Sequence, residues 1–234
     1  MVVGHNQTHA SNQWMLPRLP YHAVDSFDPV ARLATVHHAL VVPAASPDRT
    51  LAALIARGRA GRLTYASSQA GSASHVISET LVRRNGMVAT HVPYRGATPA
   101  VTDTVAGVVD FYVSTFPPVS GLVRDGRLRA LAIGAPARVE GFPDLPTAAE
   151  LGQGEPFVDA WFGVFAPRGT DPAALNRLSA AALAALDDPA ARPRLQGAGF
   201  NPAPLDPAAF AAFQREEVAR WRTIVELTGI RMED

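Results

Sequence analysis

Apolar positions along the chain follow two alternating patterns. Short β-like runs occur at HALVVP (38–43), LTYAS (63–67), THVPY (90–94), VDFYVS (109–114), LRALAIG (128–134) and WFGVFAP (161–167). Between them lie segments with helical spacing, each opened by a capping residue followed by proline: Ser46-Pro47, Thr98-Pro99, Asp171-Pro172, Asp188-Pro189 and Asp206-Pro207. The side-chain oxygen of such a cap accepts a free backbone N–H, and proline lacks the N–H that would go unpaired there. Leu51, Leu54 and Ile55 share a face before Gly58; Val101 and Val105 share one before Gly107. Leu175, Leu178, Ala182 and Leu186 keep the same spacing, as do Phe210, Phe213, Trp221 and Val225 before Gly229. Pro193 predicts a short or kinked helix after Asp188. Strands alternating with helices imply βαβ units, an α/β fold with mainly parallel sheets and helices on both faces.

HALVVPAASPDRTLAALI and WFGVFAPRGTDPAALNRL share one plan: apolar strand, proline, turn, capped helix. Two such units flanking a βαβ-rich middle predict two lobes, one at 37–162 and the other built from 1–36 plus 163–234. The flanking lobe reads as incomplete, because residues 1–36 supply one strand-like VVG, a loop and the Pro-rich LPRLPYHAVDSFDPV where a whole βα unit is expected.

The 234 residues are 47% hydrophobic and 18% charged, with formal net charge zero. Every basic side chain except histidine is arginine, and no basic run offers a nucleic-acid footprint. Absence of cysteine removes disulfides, thiolate metal sites and cysteine nucleophiles. No apolar run reaches the roughly 20 residues of a membrane span, and MVVGHNQTHASNQW lacks the marks of a signal peptide. The histidines form no helical His-x-x-x-His pair with a carboxylate; His5 and His9 read as loop or surface residues. Neither metal nor cofactor is expected.

Candidate chemistry concentrates in YASSQAGSASH (65–75). A nucleophile elbow wants Gly-x-Ser-x-Gly; Gly71-Ser72-Ala73-Ser74-His75 lacks the second glycine, and His75 is poorly placed as an independent base. A P-loop needs a lysine the chain does not have. Two further readings stand beside the hydrolase one. Ser72 or Ser74 caps a helix over about 73–84 beside a solvated loop, or the helix N-terminus and its hydroxyls hold an anion. THVPYRGATPAV repeats the strand, small-residue turn and helix start; VGHNQTHASN offers Asn6, Thr8 and Asn12; VDFYVSTFPP ends with Ser114 and Thr115. In open α/β sheets ligands collect at the carboxyl ends of strands.

YASSQAGSASH, HVPYRGATPAVTD, GVVDFYVSTFPP, GRLRALAIGAPAR, FPDLPTAAELG and WFGVFAPRGTDPAALNRL resemble, in order and spacing, the extracytoplasmic solute-binding receptors of tripartite tricarboxylate transporters, the Bug/TctC family. The resemblance covers essentially the whole chain. It implies a two-lobed periplasmic-binding-protein type II fold that closes on a small organic carboxylate, a monomeric periplasmic receptor delivering its ligand to a membrane permease, and no catalysis. By motif position it assigns ligand contacts to Asn6, Thr8, Ser67, Ser72, Ser74, Tyr94, Gly96 and Ser114. Relatives begin with a leader and a first strand–loop–helix unit that nothing here matches, so the resemblance is to a receptor lacking about its first fifth. They often carry Asp-Asn where this chain has Ser114-Thr115, which argues against an amino-acid ligand. His5 and Asn6 stand where a small hydroxyl pair is usual. Two other outcomes remain: a serine-dependent α/β hydrolase-like enzyme and a truncated, non-binding fragment.

Overall fold

A computed structural model describes residues 1–154 and 157–231. The chain divides into two compact units, Met1–Val36 with Ala160–Asp234, and His37–Asp159. The first unit opens with β1 (Val2–His5), a π-helical turn (Gln7–Ser11) running into α1 (Asn12–Met15), and β2 (Phe27–Val36). The second contains β3 (His38–Pro43), α2 (Leu51–Ala60), β4 (Arg62–Ser67), α3 (Ala73–Arg84), β5 (Val88–Pro93), α4 (Ala97–Val105), β6 (Phe111–Thr115), α5 (Pro117–Arg124) and β7 (Leu128–Ile133). The chain then returns to the first unit as β8 (Ala160–Pro167), α6 (Pro172–Asp187), α7 (Ala191–Gly197), β9 (Asn201–Leu205) and α8 (Pro207–Thr228).

The sheet of the second unit has the order β5-β4-β6-β3-β7. β4 pairs in parallel with β5 and β6, whereas β3 runs antiparallel to β6 and β7. One reversed strand is thus inserted between neighbours that all point the other way. The sheet of the first unit, β1-β8-β2-β9, is antiparallel throughout. The α/β class holds, but the expectation of mainly parallel sheets fails in the first unit. Its strands come from both ends of the chain, so strand–helix alternation along the sequence did not fix their directions.

Caps decide the helix starts. Asp171 and Asp206 accept the N–H groups of Ala173 and Ala209, each with proline at the first helical position. α8 ends at Gly229 in the left-handed conformation, φ 67°. Three expected caps move: Asp188 accepts the Ala190 N–H, but α7 starts only after Ala190, and the starts at Ser46 and Thr98 shift as well. Ser46 instead bonds Asp48, whose carboxylate is gripped by Arg57 at 2.7 Å, and Thr50 caps α2. Gly96, at φ 114°, precedes α4, leaving Thr98 inside the helix. β2 and β9 were not expected, because both carry proline. Pro29 sits beside a bulge of β2, and β9 (NPAPL) is an edge strand, the two places where a sheet tolerates proline.

The core of the second unit gathers Val41, Ala66, Tyr112, Phe116, Val119 and Ile133. Its chain ends are clasped: His37 Nδ1 lies 2.8 Å from Asp159 Oδ1, and His38 Nδ1 donates to the Val158 carbonyl at 2.8 Å. The first unit packs aromatic rings: Trp161 meets Phe210 edge-on, Phe210 leans on Phe165, and Phe165 stacks on His9 at 4.0 Å. Gly163 has to be glycine, since a Cβ there would enter the Phe210 ring. No helix among the described residues is long and apolar enough to cross a membrane.

Burial pushes His9 and His38 down to about 4. Both are nearly inaccessible, so the fold holds them neutral while the unfolded chain protonates near 6.5. The unfolded state therefore binds more protons between about pH 6.5 and 4. The stabilisation is complete above that window and is lost as pH falls through it, at about 1.4 kcal/mol per pH unit per group. Urea unfolding of His38→Asn between pH 6.5 and 5 should show a slope shallower than wild type by roughly that amount. Equal slopes would mean His38 is not held neutral by the fold.

Candidate functional site

β4 delivers its last residue, Ser67, fully buried at the strand end. The chain then makes a tight turn at Gly71, whose φ of 74° suits only glycine without strain. Ser72 caps α3, accepting the His75 N–H at 3.4 Å. The buried hydroxyls satisfy one another. Ser72 Oγ donates to the Gln69 carbonyl at 2.6 Å and lies 2.8 Å from Ser74 Oγ; Ser74 Oγ accepts the Ser68 N–H at 3.0 Å. Neither Ser72 nor Ser74 is hydrogen-bonded to a histidine ring; the one bond from a histidine is the His75 backbone N–H to Ser72 Oγ. His75 turns its Nδ1 to the Gly71 N–H at 3.1 Å, an acceptor role that positions the turn.

Neighbouring strands complete the arrangement. Tyr94 and Gly96 donate their backbone N–H groups to the carbonyls of Ser67 and Ser68, at 3.0 and 2.7 Å. The Tyr94 hydroxyl is directed away into α4, donating to Asp103 at 2.8 Å; burial and that carboxylate push its phenol up to about 12. What this stretch contributes to the site is the Gly96 backbone more than the Tyr94 side chain. Ser114 lies fully buried on β6 and its Oγ has no hydrogen bond. Two positions earlier, on the same face of the strand, Tyr112 brings its hydroxyl toward Ser114, Ser68 and Ser74. Its phenol is pushed up by burial, so it stays protonated and can donate. Tyr112 was not singled out from the sequence. The signal available was its two-residue spacing from Ser114 in DFYVS.

Ser67, Ser72, Ser74, Gly96 and Ser114 thus belong to one part of the second unit, and Asn6 and Thr8 to the first. There the expected polar turn is a helix. Residues 7–11 form a π-helical turn continued by α1, a form found often at functional positions. Thr8 Oγ1 is used within it, accepting the His5 N–H and sitting 2.9 Å from His9 Nδ1. Asn6 is buried, with Nδ2 lacking any hydrogen bond. His9, expected at the surface or in a loop, is buried between Gly4 and Phe165, with Phe27 at 4.7 Å. The inward side of this helix is His9, Ala10, Ser11 and Met15, too polar to register as an apolar face. No cluster of His, Cys, Asp and Glu able to hold a metal occurs among the described residues.

The family model of the tripartite tricarboxylate transporter family receptor, TctC, matches residues 1–230. The chain belongs to this family. It is 34% identical to Protein BugT of Bordetella pertussis over 220 residues, 93% of this chain and 68% of that protein. A UPF0065 protein from the tcbD-tcbE intergenic region of Pseudomonas sp. is 35% identical over 217 residues, 92% of this chain and 65% of that protein. The chain therefore spans about two thirds of the length of these curated relatives. Among solved structures, a periplasmic transporter superposes with TM-score 0.88 at 29% identity, covering 99% of this chain and 78% of that one. Rpa4515 of R. palustris, solved with adipate, gives 0.87 at 29%, covering 98% and 77%. MatC of Rhodopseudomonas palustris, solved with bound malate, gives 0.79 at 32%, covering 95% and 78%. The fold is that of the family's periplasmic binding proteins.

In the ligand-free protein Ser72→Ala removes the cap of α3 and the acceptor of the His75 N–H, so stability should fall by about 1 kcal/mol. Ser114→Ala removes a hydroxyl that bonds nothing and should be neutral or slightly stabilising. Urea midpoints compare the two directly. An equal loss for both would show that the Ser114 hydroxyl has a partner in the free protein.

Proposed function

We propose that this chain is a solute-binding receptor that captures a small organic carboxylate and hands it to the permease of a tripartite tricarboxylate-type transporter. The observation that carries this is the donor set at the start of α3. A 12-residue helix directs its N-terminus, capped by Ser72, at a turn where Ser68, Ser74, Tyr112 and Ser114 supply hydroxyls. A helix N-terminus and neutral donors suit a carboxylate, which needs hydrogen-bond donors and a positive potential but no lysine. Ser114 Oγ is buried with its hydrogen-bonding capacity unused, a cost to the empty fold that a ligand oxygen would remove. Within the first unit Asn6 Nδ2 is likewise a buried donor left unused, with Thr8 in a supporting role within its own turn. The relatives solved with adipate and malate support the ligand class.

The proposal includes a periplasmic location, in line with the periplasmic transporter this chain is similar to, and a monomeric receptor. It includes no catalytic step. Ser72, the serine of the hydrolase reading, donates to a backbone carbonyl, and His75 spends its Nδ1 on Gly71. A fluorophosphonate serine reagent should therefore leave Ser72 and Ser74 unlabelled.

A thermal-shift panel of malate, adipate, citrate and aromatic acids tests the binding claim. A true ligand stabilises by about 2.7 kcal/mol at a hundredfold excess over Kd, and Ser114→Ala should lose most of that shift while keeping the unliganded melting temperature. If no acid in the panel moves the melting temperature, the receptor reading fails for this chain. Labelling of Ser72 would favour the hydrolase.

A further inference from the structure

Beneath the serine turn lies a stack of rings that the proposed function does not use. His75, near the start of α3, and His91, on β5, lie face to face with centroids 3.7 Å apart and planes 8° from parallel. Tyr65 of β4 stacks on His91 at 5.1 Å, and Phe111 of β6 stacks on Tyr65 at 5.4 Å. Each imidazole also touches the turn. His75 Nδ1 accepts the Gly71 N–H at 3.1 Å, and His91 Nε2 lies 2.6 Å from Ser67 Oγ. The two histidines therefore grip the turn at both ends, one at the strand terminus and one at the glycine whose positive φ reverses the chain.

From this geometry we infer that His75 and His91 are positioning residues of the serine turn, and that His75 holds its end only while its ring is neutral, so that protonation of His75 releases it. The inference rests on the carboxylate reading of the turn for its functional meaning. Its physical content does not require a ligand.

The His75 end follows from the direction of one hydrogen bond. Gly71 N–H can only donate, so His75 Nδ1 must carry a lone pair, and the neutral ring keeps its proton on Nε2. A second proton can go only to Nδ1. There it would set N–H against N–H at 3.1 Å and break the contact that fixes Gly71. The neighbouring ring makes the same event costly, because charge on either imidazole disfavours charge on the other across 3.7 Å. Glu79, one helical turn beyond His75, is the carboxylate facing the pair. Its oxygens are taken by the Tyr65 hydroxyl and by Arg83 Nε, each at 2.6 Å, so it offers limited compensation. Burial, with His91 next, pushes His75 down to about 4, and burial lowers His91 against the opposing pull of Glu79. The direction is fixed by these facts: the turn is held at neutral pH and freed as the medium becomes acid.

Nitrogen-15 NMR of the full, ligand-free chain from pH 7.5 to 3.5 tests the inference independently of any ligand. At neutral pH the His75 Nδ1 resonance should be that of an unprotonated nitrogen. On acidification the Gly71 amide should titrate with the same midpoint as His75, near 4. His75→Asn, whose amide oxygen can accept the Gly71 N–H without titrating, should keep the fold and erase that step. His91→Asn should move the His75 midpoint upward. A Gly71 amide that stays flat while His75 titrates, a step that survives in His75→Asn, or a protonated Nδ1 at neutral pH would each overturn it. A silent carboxylate panel with a normal Gly71 titration would defeat the receptor reading alone.

Discussion

A buried polar group has to find a partner, and the Ser67–Ser74 turn meets that demand with its own atoms. The Gln69 carbonyl accepts from Ser67 Oγ, Ser72 Oγ and the Ser72 N–H. Ser74 Oγ closes the loop by taking the Ser68 N–H. Nothing in this set is charged, so the turn buries without the several kcal/mol that taking an ion out of water costs. The arrangement then dictates its surroundings. Gly71 must be glycine to bring Gln69 and Ser72 together, Gly96 must approach closely enough to reach the Ser68 carbonyl at 2.7 Å, and α3 must start at Ser72. The candidate site is a by-product of a turn whose hydroxyls pair with one another and leave Ser114 out.

Much of this was legible in the residues, and the parts that were not have physical causes. Cap-proline pairs and Ser72 marked α3, α6 and α8 because capping is local: the partner of the side chain lies two or three residues away. Ser46 and Thr98 misled for the same reason turned around. Ser46 is drawn to Asp48 by a network that reaches Arg57 and Asp110, and Thr98 is pre-empted by Gly96, which the Ser68 carbonyl of the serine turn holds. No local rule sees those partners. Strand direction in the first unit was hidden likewise, since β2 and β8 pair across more than a hundred intervening residues.

The site residues divide in the same way. Ser67, Ser72 and Ser74 stand out as candidates because hydroxyls crowd one short stretch. Tyr94 is a candidate by motif position, yet its hydroxyl is spent on Asp103, and in this stretch it is the Gly96 backbone that joins the serine turn. Tyr112 escaped because an aromatic residue in a strand reads as core. It is core as well, packed with Ala66, Val119 and Phe116 while its hydroxyl reaches the serines. Residues with an apolar body and a polar tip serve both roles, and only the structure tells which end matters.

Histidine shows how far burial can override sequence expectation. His9, His38 and His75 have no shared motif, and each is pushed down to about 4 by the same cause. They differ in what their neutral rings do. His9 fills an aromatic box against Phe165, His38 joins the two ends of the second unit through Val158, and His75 fixes Gly71. A neutral imidazole can donate from one nitrogen and accept at the other, whereas an imidazolium only donates. At His38 the bond is a donation and survives protonation; the charge is penalised chiefly by burial, with His37 adding to it. At His75 the bond is an acceptance, so protonation removes the bond as well as burying the charge. Of these two histidines in the second unit, only His75 converts a proton into a change of shape.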